Sequence, residues 1–244
     1  MPEPMATISV VVPALNEERN IVEAVREVHR AVDGRFSDYE ILLFDDGSTD
    51  RTGSLMDEIA ASDRRVRVTH NPTPRNLGGV YKQGIAMASF EYFVMMPGDN
   101  ENPSSAMLPA FDAIGSADIV VPYVKREGRA LPRRIASRAY VALMNTVFGL
   151  NLRYYNGTCI QRTANLRDIY IETDSFAYQA EILVKLLRQG KTFVEVPIEL
   201  PPAGGGQSKA FRAKNVYGVL RSVVRLGIAV RTGARDKRGT CAAS

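Results

Sequence analysis

Short apolar segments alternate with helix-like stretches through the first part of this 244-residue chain. The apolar segments are TISVVV, YEILLF, RVRVTH and YFVMM, and the helix-like stretches cover residues 17–32, 52–61 and 79–88. Strands that alternate with helices of this length pair in parallel, and the helices cover both faces of the sheet. The sequence therefore predicts a Rossmann-like α/β fold with a mostly parallel sheet and helices on both faces.

Polar residues follow three of these predicted strands at the point where each strand ends. PALNEE comes after the first strand, DDGSTD after the second and PGDNEN after the fourth. Because ligands bind outside the carboxyl ends of the strands in such sheets, we expect a binding site at this edge. A dinucleotide-binding enzyme is excluded, since the first strand-to-helix turn, VPALNEERN, has no glycine to let a pyrophosphate approach the backbone.

The second half of the chain is less regular. Helix-like stretches over residues 133–148 and 175–190 precede a strand, TFVEVPIEL. The next segment, PPAGGGQSK, predicts a loop because it contains three consecutive glycines. A last helix is expected over residues 214–230, with one apolar face and one basic face.

Positive charge is concentrated toward the C-terminus. From Pro201 onward there are nine lysines or arginines and one acid, Asp236, and a second basic cluster covers residues 125–138. Such clusters are either solvated faces or surfaces that attract the phosphates of a substrate, a nucleic acid or an anionic membrane. No RNA-binding or helix-turn-helix motif accompanies the charge, so a nucleic-acid partner is not expected. We expect a main domain over residues 1–210, followed by a basic amphipathic helix and tail over residues 211–244.

Composition favours a cytoplasmic setting. No apolar run reaches the ~18 residues that cross a bilayer, and the first residues lack the basic region of a signal peptide. The two cysteines, Cys159 and Cys241, are too few and too far apart for a disulfide framework or a zinc cluster. The last four residues, CAAS, match a prenylation pattern that has no meaning in a bacterium.

Several of these segments occur in the same order in a known family. They are SVVVPALNEERNI, YEILLFDDGSTDRT, NLGGVYKQGIAMA, GDNENP, RRIAS, EVPIEL and GQSK. Over roughly residues 7–209 the chain resembles glycosyltransferase family 2 enzymes of GT-A fold. Within that family, RRIAS and GQSK make it most similar to the polyprenyl-phosphate sugar transferases of the dolichol-phosphate mannose synthase type.

The resemblance implies a binding site for a nucleotide-sugar donor that is linked to UDP or GDP. Asp46 is expected to bind the base, since a carboxylate accepts hydrogen bonds from ring N–H groups. DDGSTD also has a structural alternative, a helix cap with a turn glycine, and Asp50 fits that role. The donor-binding residues implied by the resemblance are Pro13, Glu17, Phe44, Asp46, Lys82, Pro97, Gly98 and Asp99.

Mg²⁺ or Mn²⁺ is the cofactor that the resemblance implies. The family places an Asp-x-Asp pair after the fourth strand and a further polar ligand two residues on, and the matching positions are Pro97, Asp99 and Glu101. Both ions favour oxygen ligands, and donor phosphates and waters complete the coordination shell. Asp99 and Glu101 are therefore the expected metal ligands. The alternative is that GDNENP is a plain turn before a helix that starts at Pro103.

The acceptor implied by the resemblance is a polyprenyl phosphate, undecaprenyl or dolichyl, and the transfer inverts the anomeric centre. A phosphate monoester is already a nucleophile near neutral pH, so cationic groups that hold two anions together are needed rather than a general base. A hydroxyl acceptor on a glycan or lipid would need a base, and Asp174 is the candidate unless it caps the next helix. The expected acceptor-phosphate residues are Arg133, Ser137, Ser208 and Lys209, and the expected catalytic residues are Asp99, Arg133 and Lys209.

The basic C-terminal helix predicts peripheral binding at the cytoplasmic face of a membrane, where the lipid presents its head group for cell-envelope synthesis. Alternatively, this helix packs on the domain with its basic side in water. A second copy of the chain is a further candidate partner. An alternative hypothesis is that the protein is a degenerate, non-catalytic homologue that only binds a nucleotide sugar or a membrane partner.

Overall fold

The computed structural model describes residues 6–100, 104–125, 131–175, 177–199 and 227. Seven strands of this part of the chain form a single sheet. The strands are β1 (Thr7–Ala14), β2 (Asp38–Asp45), β3 (Val66–His70), β4 (Tyr92–Met95), β5 (Ile119–Val124), β6 (Ile160–Arg162) and β7 (Phe193–Ile198). The helices are α1 (Ile21–Val32), α2 (Thr52–Ser62), α3 (Asn76–Met87), α4 (Leu108–Asp112), α5 (Leu131–Phe148), α6 (Thr163–Arg167) and α7 (Tyr178–Arg188), with a short 3-10 helix at Ser104–Met107.

The sheet is mixed but mostly parallel, with the strand order β3-β2-β1-β4-β6-β5-β7. β1 pairs in parallel with β2 and β4, β2 with β3, and β5 with β7. β6 runs antiparallel to both of its neighbours, β4 and β5. The predicted α/β fold is confirmed. Because β1, β2 and β4 are parallel neighbours, the loops that follow them meet at one edge of the sheet.

Apolar cores lie on both faces of the sheet. In β1, Val11 packs in the core that contains side chains of α3, α5 and α7, whereas Val10 and Val12 pack in the core that contains side chains of α1, α2 and α4. Successive side chains of a strand point to opposite faces, so a strand that is covered on both faces is apolar at every position. The uninterrupted apolar segments of the sequence have this cause.

Helix α3 approaches the sheet most closely at Gly84. A Cβ atom at this position would lie 2.6 Å from Val11 Cγ2 and 3.2 Å from Phe93 Cζ. The Tyr81 ring, one turn earlier, packs against the Phe93 ring with 4.8 Å between the centroids. A side chain at residue 84 would push the helix away, so this glycine sets the distance of α3 from β1 and β4.

The first helix is shorter than the sequence predicts. It begins at Ile21 rather than at residue 17. The backbone N–H groups of Glu17 and Glu18 donate to Thr52 Oγ1 and Asp50 Oδ2 in the loop after β2. These hydrogen bonds tie Glu17 and Glu18 to the loop after β2, ahead of the first residue of α1.

Strands β5 and β6 are absent from the sequence predictions. β6 has three residues, too few for a recognisable pattern, and β5 contains a proline, Pro122. Pairing of such segments depends on their tertiary neighbours more than on their own propensity.

The predicted last helix, the PPAGGGQSK loop and the boundary at residue 210 lie outside the described residues, apart from Gly227, which is helical. Among the helices that the structure describes, none is both long enough and apolar enough to cross a membrane.

Candidate functional site

The end of β1 lies between two polar loops. The backbone N–H of Asp46 donates to the carbonyl of Ala14 with an N–O distance of 2.9 Å. The backbone N–H of Gly98 donates to the adjacent carbonyl of Pro13, also at 2.9 Å. The loops after β2 and β4 are thus held side by side at the carboxyl edge of the sheet, where a ligand is expected to bind.

The loop after β1 is also bonded to the loop after β2. Asn16, which has a left-handed φ of 58°, accepts a hydrogen bond from the Thr49 N–H at 2.8 Å, and its own N–H donates to Ser48 Oγ at 3.0 Å. The Glu17 N–H donates to Thr52 Oγ1 at 2.8 Å. Side chains of PALNEE and DDGSTD therefore hold each other in a fixed arrangement.

Part of DDGSTD has a structural role. Asp50 Oδ1 accepts a hydrogen bond from the backbone N–H of Thr52, the first residue of α2, at 2.9 Å. Gly47 has a left-handed φ of 81°, which glycine adopts without strain. The turn glycine and an acid at the start of α2 agree with the structural interpretation of this motif, but they leave Asp45 and Asp46 to be explained.

Asp46 is buried, and its carboxylate accepts three hydrogen bonds. Oδ1 accepts from Asn71 Nδ2 at 3.0 Å and from the Arg75 N–H at 2.8 Å, and Oδ2 accepts from the Asn76 N–H at 3.1 Å. The Asn71 amide exchanges two hydrogen bonds with Gln83 of α3, at 3.0 and 2.9 Å. The carboxylate lies at the N-terminus of α3, where the helix dipole favours negative charge.

The neighbouring Asp45 belongs to a different cluster. Its Oδ2 lies 3.1 Å from His70 Nδ1, and His70 Nε2 lies 3.1 Å from Asp57 Oδ1 of α2. Burial would raise the pKa of Asp45, but hydrogen bonds from Ser48 and His70 outweigh burial and lower it. Hydrogen bonds to Asp45 and Asp57 raise the pKa of His70. This cluster joins the ends of β2 and β3 to α2.

Asp174 packs against α3. Its Oδ1 lies 2.6 Å from Lys82 Nζ, and its carbonyl accepts a hydrogen bond from the Gly78 N–H at 3.2 Å. A Cβ atom at Gly78 would lie 2.7 Å from the Asp174 carbonyl carbon, so only glycine allows this approach. The residue that precedes α7 is Ala177, and its N–H donates to Ser175 Oγ at 3.3 Å rather than to Asp174. The interpretation of Asp174 as the cap of α7 is therefore wrong.

The turn after β4 brings Asp99 next to the end of β1. Gly98 is buried, and a Cβ atom there would lie 3.0 Å from Ile21 Cδ1 and 3.2 Å from Ala14 Cβ. Asn100 follows with a left-handed φ of 53°. Asp99 is half-buried between these two residues. A tight contact before it and an unusual backbone angle after it thus restrict its position.

Most of the predicted donor-binding residues lie in these three loops or at the strand ends that carry them. Phe44 is an exception, since its side chain is fully buried in the core, and Lys82 lies on α3 in the ion pair with Asp174. Arg133 and Ser137 lie one turn apart on α5. Residues at the sheet edge are Pro13, Glu17, Asp46, Pro97, Gly98 and Asp99. Glu101, Ser208 and Lys209 lie outside the described residues.

The donor groups at this edge fit a cation that arrives with phosphates. In the ranges that the structure describes, no three His, Cys, Asp or Glu side chains come together as a metal site. Mg²⁺ is usually held by one or two carboxylates, with waters and substrate phosphates in the remaining positions. Asp99 is the described member of the predicted pair of ligands. A cation beside Asp99 would need further oxygen ligands, from phosphates, waters or side chains outside the described residues.

The sequence does not point to Asn71, Arg75 or Gln83, although Asn71 and the Arg75 N–H bond to Asp46 and Gln83 bonds to Asn71. The segment NPTPRN reads as an ordinary turn after β3. Pairing of β2 with β3, in which Asp45 lies opposite His70, brings this turn to Asp46. An alternation of strands predicts that β3 exists but not which residue of its loop faces which carboxylate.

The fold and this edge define a class of protein. A mostly parallel sheet with helices on both faces, whose edge gathers the polar loops after β1, β2 and β4, matches the GT-A glycosyltransferases. The chain belongs to glycosyl transferase family 2, whose model matches residues 9–173. The protein is accordingly a family 2 glycosyltransferase, as the resemblance in the sequence implies.

Three relatives bear names that specify a lipid-linked acceptor. An undecaprenyl-phosphate mannosyltransferase of Micrococcus luteus is 28% identical over 94% of this chain and 98% of the relative. A polyprenol monophosphomannose synthase of Mycolicibacterium smegmatis is 27% identical over 90% of this chain and 86% of the relative. A dolichol-phosphate mannosyltransferase of Pyrococcus furiosus is 26% identical over 90% of this chain and 63% of the relative. The similarity to transferases of this type is confirmed.

Solved structures of glucosyl-3-phosphoglycerate synthase from Mycobacterium tuberculosis share the fold. The complex with UDP has a TM-score of 0.66 and 20% identity, and the match covers 93% of this chain and 80% of that chain. The complex with Mg²⁺ and UDP has a TM-score of 0.65 and 18% identity over the same shares of the two chains. The complex with Mn²⁺, UDP and glucosyl-3-phosphoglycerate has a TM-score of 0.66 and 20% identity, again over 93% and 80%.

Proposed function

We propose that this glycosyltransferase moves a sugar from a UDP- or GDP-linked donor to a polyprenyl phosphate at a membrane surface, with inversion of the anomeric centre. One observation carries the proposal. Adjacent carbonyls of Pro13 and Ala14 hold the Gly98 and Asp46 loops side by side. The residues proposed to bind the donor's nucleobase and its diphosphate then lie at the same edge of the sheet, as a nucleotide-sugar donor requires.

In the proposed complex the donor's base lies at Asp46 and its diphosphate at the turn of Gly98 and Asp99. Pro13 and Glu17 belong to the β1 side of this pocket. Their shared position at the carboxyl ends of neighbouring parallel strands supports the assignment. Lys82 and Pro97 complete the proposed donor-binding set, whereas the Phe44 side chain is fully buried in the core and is not proposed to contact the donor.

A divalent cation, Mg²⁺ or Mn²⁺, fits beside Asp99 and Glu101. When bound, such an ion neutralises negative charge on the departing diphosphate. The solved relatives that contain Mg²⁺ or Mn²⁺ together with UDP support this assignment. Pro97 stands where the family pattern has its first aspartate, so the remaining ligands have to come from Asp99, Glu101, the phosphates and water.

The proposed acceptor supplies its own nucleophile. A phosphate oxygen of the lipid attacks the anomeric carbon and forms the new C–O bond on the face opposite the bond that breaks. The nucleoside diphosphate leaves with the bonding electron pair. Cationic groups that hold the two anions close together are what this reaction needs. The proposed groups are Arg133, Ser137, Ser208 and Lys209, with Asp99, Arg133 and Lys209 as the catalytic residues.

The surroundings of Asp174 favour a phosphate acceptor over a hydroxyl. A general base has to face the acceptor's proton, whereas this carboxylate is engaged by Lys82 at 2.6 Å. Its segment is held in place by the buried Glu181, which accepts hydrogen bonds from the backbone N–H groups of Glu172 and Thr173 at 2.8 and 3.1 Å. The names of the three relatives support the same choice.

Peripheral binding at the cytoplasmic face of a membrane would bring the site to the lipid's head group. The basic residues after Pro201 support this location, because each basic side chain near an anionic surface contributes about 1 kcal/mol. The basic C-terminal segment 211–244 is proposed as the membrane-binding unit that follows the catalytic domain 1–210. A second copy of the chain remains a candidate partner.

Membranes that contain the protein, supplied with a labelled nucleotide sugar, test the proposal. We expect label in the lipid extract, and loss of that label in Lys209→Ala. Lys191→Ala, a lysine in the turn before β7, is the matched control and should retain the activity. Label confined to a water-soluble glycan would overturn the proposal in favour of a hydroxyl acceptor with Asp174 as the base. Donor binding without turnover would indicate a non-catalytic homologue.

A further inference from the structure

We propose that Asp46 selects uracil rather than guanine as the base of the donor, and that Asn71 and Gln83 are the positioning residues that enforce this choice. The inference rests on the proposed donor site and goes beyond it by naming the nucleotide. It follows from the number of hydrogen bonds that the Asp46 carboxylate can still accept.

The carboxylate of Asp46 has one acceptor position left. An ionised carboxylate has about four such positions, two on each oxygen. Both positions of Oδ1 are taken, by Asn71 Nδ2 at 3.0 Å and by the Arg75 N–H at 2.8 Å. The Asn76 N–H takes one position of Oδ2 at 3.1 Å. A bound base can therefore donate a single hydrogen bond to Asp46, through Oδ2.

The four common bases differ in what they offer to a carboxylate in this state. Guanine presents two adjacent donors, N1–H and the 2-amino group, which need one free position on each oxygen. Uracil presents one donor, N3–H, between two carbonyls. Cytosine and adenine present an unprotonated ring nitrogen at the corresponding place, and a carboxylate repels its lone pair. Uracil is the base that matches one free position.

Asn71 and Gln83 keep Oδ1 occupied. Asn71 is buried, and its amide could face Asp46 with either the donor nitrogen or the acceptor oxygen. The reciprocal pair with Gln83, Nδ2 to Oε1 at 3.0 Å and Nε2 to Oδ1 at 2.9 Å, sets the orientation. The remaining proton of Asn71 Nδ2 then points to Asp46 Oδ1. Gln83 acts through Asn71, and Asn71 acts through Asp46.

Calorimetry with four nucleotides tests the inference on the full chain in the presence of Mn²⁺. UDP should bind more tightly than GDP. UDP methylated at N3 should bind about 10- to 100-fold more weakly than UDP, because it lacks the one hydrogen bond to a charged acceptor. Inosine diphosphate, which is GDP without the 2-amino group, should bind at least as tightly as GDP, since that group has no acceptor to meet.

The outcomes separate this inference from the proposed function. GDP binding 10-fold or more tightly than inosine diphosphate would overturn it, because both oxygens would then accept from the base. Equal affinities for all four nucleotides would also overturn it and leave Asp46 as an anchor of the loop between β3 and α3. If only a GDP-linked donor gave labelled lipid, the choice of uracil would be wrong but the transferase proposal would stand. Absence of binding by any nucleotide would overturn both.

Two variants test the positioning residues. Asn71→Ala frees a position on Oδ1, so GDP should gain about 10-fold relative to inosine diphosphate. Gln83→Ala, at a half-buried position, should shift the same ratio in the same direction and is the second test if Asn71→Ala does not fold. Gln189→Ala, on the surface after α7, is the control and should change none of the four affinities. An unchanged ratio in both folded variants would contradict the positioning role.

Discussion

Asp45 and Asp46 are adjacent and chemically identical, yet their surroundings give them different roles. Asp45 pairs with His70 and joins β2 and β3 to α2. Asp46 lies at the N-terminus of α3 and keeps part of its acceptor capacity. The difference arises because successive residues at a strand end point to opposite sides. Each carboxylate meets a different helix and therefore a different set of donors.

Asp99 should determine how strongly UDP binding depends on a metal ion. UDP should bind to the wild-type protein on the order of 10-fold more tightly with Mn²⁺ than with a chelator, because a carboxylate and the diphosphate would share the ion. Asp99→Asn removes one negative charge without changing the size of the side chain. The increase in UDP affinity that Mn²⁺ causes should therefore be smaller in this variant. Calorimetry measures both affinities.

The control for that measurement is Asp112→Asn, at the exposed end of α4. This variant should retain the full increase in UDP affinity with Mn²⁺. Equal affinity of the wild-type protein for UDP with and without Mn²⁺ would count against a metal at this edge.

Helix α3 contributes to the site because it lies unusually close to the sheet. Gly84→Ala places a Cβ atom 2.6 Å from Val11 Cγ2, and such overpacking costs roughly 1–3 kcal/mol. Alanine gains at most about 1 kcal/mol over glycine through helix propensity. We expect a net loss of up to about 2 kcal/mol in the free energy of unfolding, measured by urea denaturation.

Ala86→Gly, at an exposed position of the same helix, measures the contribution of helix propensity by itself. It should lower the free energy of unfolding by about 1 kcal/mol. A Gly84→Ala protein that is more stable than the wild type would show that the helix can move away from β1 without cost.

The cluster of His70, Asp45 and Asp57 should make stability depend on pH. The two carboxylates raise the pKa of His70 above its value in the unfolded chain, which is about 6.5. A group of this kind stabilises the fold fully below its unfolded pKa, and the stabilisation is lost as the pH rises through the folded pKa. The free energy of unfolding should therefore fall as the pH rises above about 6.5.

Urea denaturation at a series of pH values checks this expectation. In His70→Asn the free energy of unfolding should decrease less as the pH rises. Asp57→Asn should have a smaller effect of the same kind, because one of the two carboxylates remains. A pH profile that does not change in His70→Asn would contradict the assignment.

Across the whole molecule, polar loops gather at one edge of the sheet, and the basic residues gather in the last part of the chain. The full chain should bind vesicles that contain anionic lipid and release them as salt is added, because screening weakens the attraction. Arg221→Gln together with Arg225→Gln should weaken binding by about 2 kcal/mol, roughly 30-fold. Cosedimentation measures the bound fraction.

Arg26→Gln together with Arg30→Gln, on the exposed surface of α1, is the control and should have little effect on vesicle binding. Equal binding to neutral and anionic vesicles would rule out the electrostatic attachment.

The sequence by itself determined the class of fold, the strands β1 to β4, and the edge where PALNEE, DDGSTD and PGDNEN gather. These features depend on neighbours two to four residues apart, whose spacing is visible in the chain. Only the tertiary structure decided that β6 enters the sheet antiparallel, that Asp174 meets Lys82, and that Asn71 meets Asp46 across 25 residues. Such partners are set by how helices and strands pack, and a periodic pattern carries no information about which side chains then face each other.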